Sequence, residues 1–214
     1  MTELPVEFVG LWSRVGLSVN GEELDPGTCR WFQGRTQFLD IRGGGGHLDP
    51  MAFCGATEWS AGAKELRWHH VLDMETTHGD DVGHVEWDGD DLLEHGVAEV
   101  AGGEHRYTER WRSLTEPGER VVIADRVVGL GRIAMAGSHG GVLISHDDQT
   151  FAACGLFGER ESTWTFELVI GESFGGTTER LTPLVGSTEQ CFGERWEVVD
   201  VGPQNQPDNG RGVR

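Results

Sequence analysis

Leu66 to Leu114 reads LRWHHVLDMETTHGDDVGHVEWDGDDLLEHGVAEVAGGEHRYTERWRSL. Three or four short runs rich in Val, Leu, Trp and His are separated by acidic, Gly-containing turns, and no helical period survives for more than a few residues. Such runs, broken by pairs like Asp88-Gly89, predict short antiparallel strands joined by tight hairpins. The same texture extends over the whole chain. Its 33 glycines recur about every ten residues between runs of Val, Trp, Phe and Thr, which disfavours helices and predicts an all-β antiparallel barrel or sandwich.

Period-two alternation sorts these strands into faces. In Trp164 to Ile170 the even positions form one apolar face. The same rule puts Leu66, Trp68, His70, Leu72 and Met74 on one face and His69, Val71 and Asp73 on the other. An imidazole thus stands on an apolar face. In His105 to Leu114, Arg106, Arg110 and Arg112 share one face and must be solvated, which sends Glu109 inward between Tyr107 and Trp111. A carboxylate there needs a donor or a cation beside it, or its pKa rises. Two strands stay ambiguous: either Leu39 and Ile41 or Phe38, Asp40 and Arg42 face the core, and Leu92 with Glu94 opposes Leu93, His95 and Val97.

Composition narrows the function. The 214 residues carry 36 Asp plus Glu against 17 Lys plus Arg, a formal charge of −19; a surface that negative repels phosphate backbones and anionic lipid, so nucleic-acid and membrane partners are excluded. Cys29, Cys54, Cys154 and Cys191 are far apart with no CxxC, which fits reduced, buried thiols in a cytoplasmic protein. The start MTELPVEFVGLW shows no basic, apolar leader, and no window is long enough to span a bilayer.

In chain order the expected strands are Val6 to Ser18, Thr28 to Gln33, Thr36 to Arg42, Glu65 to Met74, His84 to Trp87, Asp91 to Val97 and His105 to Leu114. A second set follows: Arg120 to Val128, Arg132 to Ala136, Gly141 to Ser145, Phe151 to Phe157, Ser162 to Ile170, Thr177 to Pro183 and Gln190 to Val201. Asn20-Gly21 marks a hairpin. Short helical turns are most plausible near Leu48 to Phe53 and Gly62 to Glu65, and the Gly43 to Gly46 run reads as a loop able to cap a pocket. The organisation expected is an N-terminal β half over 1–114, a C-terminal β half over 119–201 and a flexible tail over 202–214, the halves being one continuous barrel or two fused ones.

Motifs exclude more than they assign. His78, Asp80, Asp81 and His84 are ligand types in a glycine turn without a metal spacing, and the adjacent His69 and His70 face opposite ways, so no metal is expected. There is no GxSxG elbow, and Gly129 to Gly131 does not lead a strand into a helix, so nucleophilic and nucleotide chemistry are set aside. A haem on an inward His is left as an alternative.

The order LWSRVGL, RWFQGRTQFLDIR, LRWHHVLDM, DVGHVEWDGDDLLEHG, YTERW resembles uncharacterised bacterial calycin-like or lipocalin-like barrels, similar to a fungal calycin-like protein that interacts with a casein-kinase-type partner. Gln33, Asp40, Arg42, Trp68, Asp73, Glu94, Tyr107, Glu109 and Trp111 lie on the shared pattern, which covers about the first 115 residues; the Gly43 to Gly46 segment departs from it. The resemblance implies an antiparallel barrel or two, and no activity. The residues themselves suggest a barrel binding a small hydrophobic molecule and catalysing a cofactor-independent isomerisation, cyclisation or elimination. His70 and Glu109 would be the acid/base pair, with Gln33, Arg42 and Tyr107 as donors, Trp68 and Trp111 as walls, and Glu94 among the binding residues. The alternative is a non-catalytic carrier or sensor, and a homodimer is left open.

Overall fold

The computed structural model describes residues 3–44, 49–74, 79–100, 103–116, 119–146, 151–160, 163–174, 181 and 184–202. After a single 3-10 turn at Val6–Phe8, the described chain is strands and turns. The first sheet comprises β1 (Gly10–Val19), β2 (Glu22–Leu24), β3 (Cys29–Gln33), β4 (Gln37–Arg42), β5 (Met51–Ser60), β6 (Glu65–Asp73), β7 (Asp81–Asp88), β8 (Asp91–Val100) and β9 (Gly103–Ser113). Neighbours in sequence pair in order from β3 to β9, and β1 pairs with both β3 and β9, so β1 and β3 to β9 close an eight-stranded barrel; β2 hangs from the outer part of β1. At eight strands a barrel interior is filled by side chains or holds one small ligand.

The second sheet stays open: β10 (Val121–Arg126), β11 (Gly131–Ala136), β12 (His139–Ser145), β13 (Phe151–Arg160), β14 (Thr163–Gly171), β15 (Thr188–Cys191) and β16 (Glu194–Val201), ordered β14-β13-β12-β11-β10-β16-β15. The architecture is therefore a closed barrel and a half-barrel, both all-β and antiparallel. One apolar face of the half-barrel, with Val121, Ile123, Ala134, Leu143 and Leu156, packs on the barrel's outer wall at Leu11, Phe32, Leu39, Ile41, Cys54 and Leu72. Two buried charges fasten this contact. Arg132, paired with Asp125, reaches the backbone carbonyls of Phe38 (3.1 Å) and Gly55. Asp200 accepts from the backbone N–H groups of Thr36 (2.7 Å) and Gln37 (2.9 Å).

Several sequence expectations change. Val6 to Phe8 is not strand; this turn sets Phe8 against Trp87, beside Trp12 of β1, whose indole N–H donates to the carbonyl of Phe8. The segment after Arg42, read as a loop with a helical turn, contains the ten-residue strand β5, whose run from Ala52 to Thr57 is buried on both faces between barrel interior and half-barrel. A strand covered on both sides has no polar alternation to betray it. Residues 61–64, the other helical candidate, are the β5–β6 turn. Gln190 to Val201 is a hairpin with Phe192-Gly193 at its turn, both at positive φ (51° and 78°). The hairpin at Asn20-Gly21 follows expectation, and the one expected at Asp88-Gly89 forms one residue later, with Gly89-Asp90 at its turn and Asp88 paired with Asp91. Residues 45–48, 117–118, 182–183 and 203–214, and most of the strand expected at 177–183, lie outside the described residues.

Bulges set which side chains enter the barrel. On β6, Leu72 pairs with Cys54 and His70 with Gly55, so Val71 is an extra, unpaired residue. Leu66, Trp68 and His70 point inward as alternation predicts. After the bulge the faces exchange: Leu72 and Met74 join the outer contact with the half-barrel, and Asp73 turns in beside His70. Gly55 is required opposite this bulge, because a Cβ there would stand 1.8 Å from the carbonyl oxygen of His69. A second bulge at Val15 lets Arg14 and Leu17 both face inward from β1. A third at Glu167 divides the even face of β14, sending Trp164 and Phe166 to one cluster and Leu168 and Ile170 to the other.

Candidate active site in the closed barrel

The barrel interior starts from ordinary apolar packing. Trp12, Trp31, Phe38, Phe53, Leu66, Trp68, Val85, Leu92 and Trp111 form one buried cluster, with Trp31 edge-on to both Trp68 and Trp111. Into it project side chains that a core normally rejects. Arg14, Asp40, Glu94 and Glu109 are each at most 4% exposed. β4 resolves its ambiguity by being buried twice: Phe38, Asp40 and Arg42 face the interior, while Leu39 and Ile41 face the half-barrel. On β8 the inward pair is Leu92 and Glu94.

Glu109 faces in between its aromatic neighbours, and its partners are arginines. Oε1 accepts from Arg14 Nη1 (2.5 Å) and Arg42 Nη1 (3.2 Å). Arg42 also donates from Nη2 to Asp40 (2.9 Å) and lies over the rings of Phe53 and Trp111. Burial raises the carboxyl of Asp40, against the pull of Arg42. Burial opposes the charge on Arg42 too, but Asp40 and Glu109 outweigh it and hold the guanidinium firmly charged. Cys29 donates its S–H toward Asp40 (3.6 Å), and burial, then Asp40, keeps it a thiol.

Glu94 is placed differently. In the β8–β9 ladder it stands directly across from Glu109. Its carboxyl accepts from two neutral donors, the hydroxyl of Tyr107 (2.9 Å) and the indole N–H of Trp111 (3.1 Å). Burial first, and Glu109 second, push its pKa up to about 8, so at neutral pH it holds a proton. The space it needs is made by glycine: a Cβ at Gly83 would lie 2.6 Å from Glu94 Cγ, and one at Gly96 would lie 2.2 Å from the Tyr107 phenol. Burial, then Glu94, keeps Tyr107 a neutral donor.

His70 stacks on Phe53 (centroids 4.4 Å, 13° between planes), with Nδ1 2.8 Å from Asp73 and Nε2 3.4 Å from Asp81. Burial alone would lower its pKa; the hydrogen bond to Asp73 and the charges of Asp73 and Asp81 outweigh that and raise it to about 9. His70 is therefore an imidazolium with its own two carboxylates, and the expected His70–Glu109 pair is not formed. The two groups belong to neighbouring clusters joined by Phe53 and Arg42.

At the centre Trp31, Asp40, Arg42, Phe53, Trp68, Asp81, Glu94 and Trp111 line a cavity with about 10 Å³ for the centre of a water-sized sphere, room for about one water molecule. Asp81, half exposed, marks its outer side. Of the residues expected from sequence, Arg42, Trp68, Glu94 and Trp111 line this space, Tyr107 stands behind Glu94, and His70 and Glu109 flank it. Gln33 does not belong: Oε1 accepts from Trp31 and Thr57, and Nε2 donates to the carbonyls of Gly34 and Gln37. Its amide is consumed in closing the barrel wall and offers no donor to a ligand. Arg14, Trp31, Asp40, Phe53 and Asp81 were not among the expected site residues. Arg14 was legible, since it shares the inward face of Trp12 two residues away; Phe53 and Asp81 required knowledge of β5 and of the barrel's closure. His78, from the metal-type loop, lies outside the described residues.

A closed antiparallel barrel with charged groups inside a tryptophan wall, backed by an open half-barrel, is the class these elements define. Among solved structures the chain is similar to the crystal structure of an uncharacterised Saccharomyces cerevisiae protein, YLR301w, with a TM-score of 0.70 and 15% identity over 89% of this chain and 98% of that one. At that identity the likeness is one of fold. No protein-family model matches the chain, and no curated protein matches it in sequence.

Proposed function

We propose that the closed barrel is a receptor for a small polar molecule, with Glu94 as the acid–base group that meets it. The observation carrying this reading is the water-sized cavity onto which Glu94, Asp40 and Arg42 open between Trp31, Trp68 and Trp111. Ligand pockets for drug-sized apolar molecules run to several hundred Å³; a cavity this small and this charged favours a compact polar group over the hydrophobic metabolite expected from composition. Buried charges cost stability even when paired, and five of the charged side chains named above converge on the interior of one barrel. The test is a fluorescence titration with small neutral, anionic and cationic compounds, since three indoles wall the cavity. Saturable changes that Glu94→Gln abolishes support the reading; no response to any class, with no metabolite retained in native mass spectra, overturns it.

A second reading, acid–base catalysis without a cofactor, is favoured by one specific feature. Glu94 and His70 both hold protons near neutral pH on the two sides of Phe53 and Arg42, with pKa values of about 8 and 9, a range suited to general-acid work. On this reading Glu94 replaces Glu109 as the carboxyl acid, because Glu109 is committed to two arginines. Turnover of a bound compound that falls about 10²-fold in Glu94→Gln, with affinity retained, would mark an enzyme.

A further inference from the structure

The chemical class of the ligand can be read from the surroundings of Glu94, on the reading that the barrel is a small-molecule receptor. Among the described residues, the carboxyl groups that line or flank the cavity are Asp40 of β4, Asp73 of β6, Asp81 of β7, Glu94 of β8 and Glu109 of β9. The described cations beside them include Arg14 of β1, Arg42 of β4 and His70 of β6. Every one of these cations is engaged: Arg14 by Glu109, Arg42 by Asp40 and Glu109, His70 by Asp73 and Asp81. Glu94 takes its hydrogen bonds from Tyr107 and Trp111, which are neutral, and stands directly across the ladder from Glu109, whose charge acts on it more strongly than that of Arg42. Glu109 itself keeps Oε2 buried and without a hydrogen-bond partner among the described residues. The remaining walls, Trp31, Trp68 and Trp111, are the aromatic surfaces that best attract a cation.

Size then selects the cation. The free space takes a single group the size of water, which an ammonium matches and which a guanidinium or a trimethylammonium exceeds. Asp81, lining the cavity with its side chain 47% exposed, marks the side on which a carbon chain can leave.

We propose that the cavity receives a primary ammonium, the head of a small alkylammonium compound, and that this head takes the place of the Glu94 proton. The exchange balances: the protonated Glu94 carboxyl loses its proton to solvent, and the resulting carboxylate accepts N–H hydrogen bonds from the incoming ammonium.

The experiment is isothermal titration of the full chain with n-butylammonium chloride, in two buffers of different ionisation heat. The expected result at pH 7 is one-to-one binding with release of close to one proton. Affinity should fall about tenfold for each pH unit below 8, because each unit makes the Glu94 proton ten times harder to displace. Glu94→Gln should bind at least tenfold more weakly and release no proton. Asp81→Asn, a change at the half-exposed side of the cavity that also takes one carboxylate from His70, should weaken binding several-fold and keep the Glu94 proton release. Binding without proton release, or binding that Glu94→Gln and Asp81→Asn leave unchanged, overturns the proposal. Acetamide and sodium acetate are titrated alongside. Response to either with silence from butylammonium overturns the ammonium assignment but leaves the barrel a receptor, whereas silence from all of them overturns both.

Discussion

The closed barrel and the half-barrel each curl an antiparallel sheet around tryptophan and phenylalanine, and they fill the curve with different chemistry. The half-barrel's own cluster is apolar throughout: Ile133, Met135, Phe157, Phe192 and Trp196, with Phe157 edge-on to Trp164, Phe166 and Phe192. Its buried charges, Arg132 and Asp200, both point out of that cluster to the barrel wall. The barrel interior places Arg14, Asp40, Arg42, Glu94 and Glu109 among its tryptophans. Among the described residues the half-barrel thus packs a sheet of this kind on an apolar cluster, its partly buried Arg126 being paired with Glu194. Replacing buried ion pairs by apolar groups of like shape is often neutral or stabilising, so folding by itself does not require the charged interior.

The comparison can be broken most forcefully at Arg14. Arg14→Met should cost about 3–5 kcal/mol, because it leaves Glu109 buried with a single cation. Phe157→Ala in the half-barrel should cost a similar 3–5 kcal/mol through a cavity. A second substitution separates the two: Glu109→Gln should recover much of the Arg14→Met deficit, measured by chemical denaturation, and none of the Phe157→Ala deficit. Equal recovery in both would remove the contrast.

Next in size is the bond between the two halves. Asp200→Ala strands the backbone N–H groups of Thr36 and Gln37 and should cost about 3 kcal/mol. It should also raise hydrogen exchange at residues 36 and 37 ahead of the rest of β4. Uniform exchange across the strand would contradict the role given to that carboxylate.

Glu94→Gln sharpens the contrast through pH. The folded-state pKa of Glu94, about 8 against 4.5 ordinarily, means that the native state binds the proton more tightly than the unfolded chain. Stability must therefore fall as pH rises from 4.5 through 8, by a few kcal/mol at most. Glu94→Gln should match the wild type near pH 5 and be the more stable by about 2–3 kcal/mol at pH 9. Parallel stability curves would show that Glu94 is ionised throughout.

The smallest effect is expected at His70. Its pKa of about 9 against 6.5 contributes stability that is complete below pH 6.5 and is lost as pH rises through 9. His70→Gln should cost about 2 kcal/mol at pH 6 and close to nothing at pH 10. A ring titration by NMR near 6.5 would refute the Asp73 and Asp81 partnership.

Much of the fold was legible because strands and tight turns are local. Asn20-Gly21 takes positive φ at both residues, 51° and 82°, as a short hairpin of this twist demands. The alternation in His105 to Leu114 sent Glu109 inward correctly, since the arginines opposite could not be buried together. β5 escaped because Ala52 to Thr57 is covered on both faces. The candidate site was only half legible for a related reason. Its members, Arg42, Trp68, Glu94, Tyr107, Glu109 and Trp111, could be named one by one, but which partner each would meet could not.

By itself the sequence determined the all-β class, the turns, and the presence of titratable groups on inward faces, because backbone periodicity and turn chemistry act over a few residues. The tertiary structure decided the rest. One extra residue at Val71 exchanged the faces of β6 and gave His70 to Asp73. Closure of β1 on β9 brought Arg14 to Glu109. The ladder register set Glu94 opposite Glu109 with only neutral donors. A buried charge takes its meaning from what stands within a few ångströms, and in a barrel those neighbours come from strands far apart in the chain.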